Sequence, residues 1–486
     1  MFLGPLRVPR ADPPPEADEP EPEPAAASAS LTANLPAALA ARKKQAEGEA
    51  PTEGEPAPTD MAPTEQAPIK VLVAELKNDR DQAYTRRVAD TLKTARALDV
   101  EMIAAPFEPP GDNPTGAKLA QFHADVRAFL ETADADLLVH GGATRAGLRL
   151  RIVGAVPPAE GRPDAVGIGD AFLMPLNFGA ELANLFYAGV LAAALPGKPE
   201  QRRDLAPHLG GAAERALKLL EKLPDGTDSS QVGAIYTWLG VAAACLWRLQ
   251  EKPAGLTAAV TAFEKANREG PKEVTPVVMA ELKIRLGLAL QELAAMKDDQ
   301  DMYEDAVDAF EAVTRTLDPN AYPRETGLAC LGLGSTFLSR GRKQLVIGDC
   351  RRAVTAFDAA LQVFTKEKDR RRWHEAMNMK GAALLTAGSI DLGAKDLEGA
   401  VEVLKAVADD TDRRTNPLQW AQASNALGSA VFALAKRTSD RARLNEAIGH
   451  FDAALAVYEE RRQTVAIGVV GKNLQRAHRL RDTLGS

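Results

Sequence analysis

The pentapeptide AVTAF occurs at Ala259–Phe263 and again at Ala353–Phe357, with the variant AVDAF midway at Ala306–Phe310. Neighbouring copies are 47 residues apart, and the alanine register runs on without insertion to Ala400 and Ala447 and back to Ala212. A second column keeps the same step: Gly240, Gly287, Gly334, Gly381 and Gly428, with Gln475 next in line. Leucine precedes that position at 239, 286, 333, 427 and 474, Lys380 being the exception, and Trp373 and Trp420 form a third matched pair. Independent columns agreeing on one period of this size predict a solenoid of stacked units.

Each unit is expected to hold two helices. The Leu-Gly pair lies on the first, where an absent side chain lets a neighbouring helix come close. The second carries Ala-x-x-x-Phe-x-x-Ala, as in Ala259/Phe263/Ala266, Ala353/Phe357/Ala360 and Ala447/Phe451/Ala454. Offsets of four and seven put all three on one apolar face.

These columns resemble the tetratricopeptide repeat, which has a Leu-Gly pair on helix A and a small–large–small set on helix B. The Gly-to-Ala distance here is 19 residues, as from Gly240 to Ala259, so the resemblance is to elongated repeats; NPLQWAQASNALGSAV (Asn416–Val431) looks like those of bacterial proteins. The resemblance implies a fold and no ligand. Ala193 precedes Ala212 by the same 19 residues, so Phe178–Leu195 reads as the first helix of a leading pair, buried against what comes before it. Thr464–Ser486 is one helix without a partner, and Arg476, Arg479 and Arg481 give it the polar outer side of a terminal cap.

Ahead of the repeats the pattern changes. Ile69–Leu76 reads as a buried strand, Asp81–Leu98 as a helix, Val100–Phe107 as a strand and Gly116–Ala133 as a helix. Ala135–Thr144 and Gly147–Ala155 read as two strands joined by a tight turn. This β-α-β-α-β-β order, with its ending LLVHGGATRAGLRLRIVGA, resembles the small N-terminal domain of TolB-type proteins, which often precedes tetratricopeptide repeats in bacterial signalling proteins. The resemblance carries over no catalytic residue. GDNPTGAK (Gly111–Lys118) looks like a phosphate loop, but Ala-Lys-Leu stands where Gly-Lys-Ser/Thr is needed and Pro114 removes an amide donor.

Residues 1–68 hold 14 of the 32 prolines, 5 Lys/Arg and 12 Asp/Glu, hence −7 of the net charge of −8. Such a segment cannot bury enough apolar surface to offset chain entropy, and it reads as a disordered acidic tail whose LTANLPAALAARKKQAE (Leu31–Glu47) could form a short helix. The remainder, with 54 basic and 55 acidic residues, is near neutral and presents no basic field for nucleic acid.

The expected organisation is therefore mostly α. A disordered tail (1–68), a small α/β domain (69–158) and a linker (159–177) lead into an α-solenoid of tetratricopeptide-like hairpins (178–486), with six helix pairs and a capping helix. Cys245, Cys330 and Cys350 read as buried free thiols of a reducing compartment, and six scattered histidines argue against a metal site. No GxSxG, HExxH or nucleotide motif holds up, so neither enzymatic chemistry nor a cofactor is expected. GLGST (Gly332–Thr336) falls on the repeat register and reads as packing, and the basic run KDRRRWH (Lys368–His374) as a solvated loop between helices. No signal peptide or membrane span is expected either, which reads as cytoplasmic.

The first helices should line a concave groove. The register places Thr237, Glu281, Gln291, Ser335, Asn378, Gln422, Asn425, Ser429, Lys472 and Arg476 there. Polar side chains with few charges suit an extended peptide or a partner helix. Asn378 and Asn425 share one column and could grip a peptide backbone at two points. Repeats that hold acidic chaperone tails use a Lys and an Asn on one helix A and an Asn on the next, a set no adjacent units show here; Lys472 and Arg476 come nearest. The expected function is a protein-interaction scaffold, with self-association left open. The alternative is a sensor or regulatory subunit of a bacterial signalling or envelope system whose α/β domain binds a small ligand.

Overall fold

The computed structural model describes residues 68–484 except 96, 105–106, 108–115, 158–160, 195–198 and 271–273. The acidic tail, with its candidate helix Leu31–Glu47, lies outside the described residues except for Pro68. So does most of GDNPTGAK, from which only the helix start at Gly116 is described.

Five strands form one sheet: β1 (Ile69–Ala74), β2 (Leu98–Ile103), β3 (Leu137–Thr144), β4 (Gly147–Gly154) and β5 (Phe172–Met174), in the order β2-β1-β3-β4-β5. β1 pairs in parallel with β2 and β3, joined through α1 (Ala83–Lys93) and α2 (Gly116–Thr132). β4 and β5 continue the sheet antiparallel. The β3–β4 hairpin closes on Arg145–Ala146. Gly147 enters β4 at φ +117°, and a Cβ on it would lie 2.2 Å from the Met174 carbonyl oxygen of β5. Only glycine fits both the backbone angle and that approach.

β2 begins two residues before the strand expected at Val100, because its pairing with β1 starts at Ile69↔Leu98. β5 is not foreseen at all. It lies within the stretch expected to be a linker, 159–177, and its Phe172 stacks on Trp238 with ring centroids 4.2 Å apart.

The helices follow as hairpins: α3 (Ala180–Ala194) with α4 (Pro199–Ala216), α5 (Ser229–Gln250) with α6 (Pro253–Glu269), and α7 (Pro276–Lys297) with α8 (Gln300–Thr316). Next come α9 (Pro323–Gln344) with α10 (Ile347–Val363), α11 (Arg370–Ile390) with α12 (Lys395–Asp410), α13 (Pro417–Thr438) with α14 (Arg441–Glu460), and then α15 (Thr464–Thr483) alone. The starts 229, 276, 323, 370, 417 and 464 step by 47. Proline at the first position of α7, α9 and α13 fixes φ where no amide donor is needed. The turns between paired helices repeat as well: Glu251, Asp298, Leu345 and Ser439 each take a left-handed conformation with φ between 53° and 59°. One apolar core runs from the sheet through α3 into the helices.

The period has a direct packing cause. A Cβ built on Gly240, Gly287, Gly334 or Gly428 would meet the ring of Phe263, Phe310, Phe357 or Phe451 of the paired helix at 2.3 to 2.9 Å, and on Gly381 it would meet Leu404 at 2.5 Å. Ala259, Ala306, Ala353, Ala400 and Ala447 are all fully buried. The glycine of one helix thus forms the floor under the ring of the next. Gly332 of GLGST packs on the ring of Phe310 in the preceding pair, so that motif is packing too. Gly240→Ala is expected to cost about 1–3 kcal/mol through overpacking, measured by urea unfolding, and Phe263→Leu in the same chain should recover part of it. Equal stability of wild type and Gly240→Ala would contradict this packing account.

First helices of successive pairs also touch one another, α7 with α9, α9 with α11, α11 with α13 and α13 with α15. No pair of second helices approaches to comparable extent, which places the first helices on the shorter, concave side. α5 and α7 are the exception to this contact.

Candidate functional site

What separates α5 from α7 is the chain itself. The segment Gly161–Asp170 lies between them on the concave wall. Asp164 is ion-paired with Arg248 of α5, lies 3.4 Å from Arg162 Nε and accepts a weak bond from the Cys245 thiol at 3.7 Å. Asp170 takes both ends of the Arg285 guanidinium of α7, with Nη1–Oδ1 at 3.0 Å and Nη2 on Oδ2. Arg285 Nε also donates to the Ala165 carbonyl at 3.0 Å. The Gly169 amide donates to Glu281 Oε2 at 3.1 Å, and a Cβ on Gly167 would lie 2.4 Å from that oxygen. Farther along, a Cβ on Gly161 would lie 3.3 Å from Arg372 of α11. The segment is therefore a strap, read by arginines and by a carboxylate that accepts from its backbone.

The network alternates in sign. Asp164, Asp170, Glu281 and Glu325 are buried, and Arg285 is 4% exposed. Arg324 joins it, 3.0 Å from Glu325 and 3.8 Å from Glu281. Burial, and then Asp170, push the Glu281 carboxyl up to about 7 against the pull of Arg285 and Arg324. Burial and Asp164 push Glu292 up to about 8. Burial first, and then Asp164, hold the Cys245 thiol well above its ordinary value, so it is no nucleophile. All three cysteines are free and buried, as the sequence implies.

The expected groove residues divide into three groups. Thr237 and Glu281 are buried in the half the strap covers; Thr237 Oγ1 donates to the Gly233 carbonyl at 2.8 Å. Gln291 and Ser335 bond each other at 2.7 Å across α7 and α9. The rest lie beyond the strap on α11, α13 and α15. Asn378 Nδ2 donates to the His374 carbonyl, and its Oδ1 is sealed from solvent with no hydrogen-bond partner. Asn425 is buried, with its Oδ1 3.4 Å from Asn473 Nδ2, and its carbonyl accepts from Ser429. Gln422, Lys472 and Arg476 are exposed.

The basic run is not a solvated loop. Arg370 and His374 of α11 both reach Asp410 at the end of α12, each at 2.8 Å, and Arg372 is 1% exposed with Glu375 at 2.6 Å. Among the described residues no group of three His, Cys, Asp or Glu side chains could hold a metal. One described helix, α5, is long and apolar enough to cross a membrane, and 72% of its apolar window is buried inside the protein. α3, the other apolar run, packs on β3 and β4.

Of the side chains that seat the strap, only Glu281 was among the expected groove residues; Asp164 and Asp170 were not, nor were Arg248 and Arg285. Their signal was a charge inside an apolar helix, as in KIRLGLAL (Lys283–Leu290) and CLWRLQ (Cys245–Gln250). Neither a protein-family model nor a curated protein matches this chain.

Proposed function

We propose that the protein is a non-enzymatic interaction scaffold: an elongated tetratricopeptide-type solenoid behind a TolB-like α/β domain, binding an extended peptide or helix of a protein partner in the uncovered part of its groove. The strap is the observation that supports this reading. The same wall already holds an irregular, turn-containing stretch of the protein's own chain through one backbone amide, one carbonyl and two carboxylates. The wall continues past the strap on α11, α13 and α15, where Gln422, Lys472 and Arg476 are exposed. Backbone-directed amides and a few charges suit a peptide laid along such a wall.

A photo-cross-linking residue at Gln422 of the full chain should capture one defined protein in cells of the source organism. Asn378→Ala with Lys472→Glu should weaken binding of that purified protein at least about tenfold, roughly 1.4 kcal/mol. The same cross-linker at Glu402, exposed on the outer helix α12, should capture nothing in common with it. Identical captures from both positions would refute a groove-directed scaffold.

A further inference from the structure

The strap shows what the concave wall recognises where it is filled. Its two carboxylates, Asp164 and Asp170, stand six residues apart, and each is taken by an arginine of a different first helix, Arg248 of α5 and Arg285 of α7. Between them run only small and aliphatic residues, Ala165 to Gly169. The repeat carries the same wall on to α13 and α15. Four steps of 47 from Arg248 stands Lys436, in the last turn of α13, and α15 contributes Lys472 and Arg479, two turns apart. All three cations are exposed, and none has an ion-pair or hydrogen-bond partner among the described residues. The carboxylates nearest to them in sequence are engaged elsewhere: Asp440 caps α14 and pairs with Arg443, and Asp482 lies 3.8 Å from Arg481. Phe432 stands in the column of Gln291 and Val469 in that of Glu281, so both belong to the wall; each is half-buried and gives it an apolar strip between the charges.

We propose that the segment bound on this far wall is acidic and is held as the strap is: two carboxylates at the strap's own interval, one on Lys436 of α13 and the other on Lys472 or Arg479 of α15, with small and aliphatic residues between them over Phe432 and Val469. This gives the chemistry of the partner in the scaffold reading, and it rests on that reading. Adjacent packed helices lie on the order of 10 Å apart, and six residues span up to about 20 Å when extended. The interval therefore covers one helix step with length left for a turn, which is how the strap uses it. Unpaired surface cations attract such a segment and repel a basic one, so charge sets the choice of partner while the apolar strip sets its register.

Fluorescence anisotropy with the full chain tests it. The probe is a labelled peptide DDAVGIGDD, which is Asp164–Asp170 with one more aspartate at each end, and KKAVGIGKK is the reference. The wall between α5 and α7 is already filled by the strap, so binding reads the far wall. The aspartate probe is expected to bind saturably with a Kd at or below about 1 mM, more weakly as salt is added, and the lysine probe not at all. Lys436→Glu with Lys472→Glu should weaken binding at least about tenfold. Lys405→Glu, exposed on the outer helix α12, should leave it unchanged. All three side chains are exposed, so these variants keep the fold. No binding of the aspartate probe by about 10 mM, equal binding of both probes, or equal losses in the wall and outer variants overturns the proposal. Should the aspartate probe fail while Gln422 still captures a defined protein, the scaffold stands and its partner is not acidic; failure of both removes the scaffold as well.

Discussion

Arg285→Leu is expected to destabilise the folded protein by about 3–5 kcal/mol, the largest effect of any single exchange outside the apolar core. The guanidinium is 4% exposed and joins Asp170 and the Ala165 carbonyl to α7. Taking it away leaves Asp170 and Glu281 as buried carboxylates facing each other without their shared cation, and leaves one strap carbonyl unpaired. Breaking one side of a buried pair costs more than the pair itself contributes, because the surviving charge stays desolvated. Adding Asp170→Leu should therefore restore much of the loss, although the Gly167 amide then loses its 2.7 Å acceptor on Asp170. Urea unfolding of the wild type, the single and the double variant measures all three. A loss under about 1 kcal/mol for Arg285→Leu would mean the pair behaves as a surface ion pair and the strap is not held by it.

The second large effect is a dependence on pH running opposite to ordinary acid denaturation. Glu281 and Glu292 are raised from 4.5 to about 7 and about 8 in the folded protein. Below 4.5 both are protonated whether the chain is folded or not, and they leave stability unchanged. As pH rises above 4.5 the unfolded chain gives up these protons while the folded one keeps them, so folding weakens. The loss is complete above about 8, where both have ionised in place. Each unit of displacement corresponds to about 1.4 kcal/mol, and nearby arginines take up part of it. Glu292→Gln keeps the shape and removes the ionisation. Its advantage over wild type is expected to grow by about 1–3 kcal/mol between pH 5 and pH 8.5, read as the difference of the two unfolding curves. A constant difference across that range would show that Glu292 is ionised and well solvated throughout.

The repeat could be read in advance because one contact generates it. A glycine beneath a large apolar side chain, 23 residues downstream in sequence and next door in space, recurs in every unit, with Phe in four and Leu404 in the fifth. The leading pair, the cap and the four longer strands could be read for a similar reason, since each is a periodic stretch long enough to show its buried face. β5 could not. Three residues, Phe-Leu-Met, carry no alternation, and their strand character comes from β4 and Trp238 rather than from propensity. The strap was illegible because its aspartates find their partners on helices 81 to 115 positions later. The groove was half legible. Register placed Asn378 and Asn425 in one column, but it could not tell that Asn425 would be buried or that the strap would cover Glu281.

The strap also makes the array mechanically lopsided. Between α5 and α7 the strap is bolted in by ions on both sides and it reaches as far as α11, while the pairs after α12 pack on their immediate neighbours. Thermal bending of such a body concentrates at its C-terminal end, like a leaf spring held in a vice. Amide deuteration should accordingly spread from α15 inward and stall where Gly161 reaches α11. A guest entering the far end would meet a wall able to adjust its pitch, hinged on one that cannot.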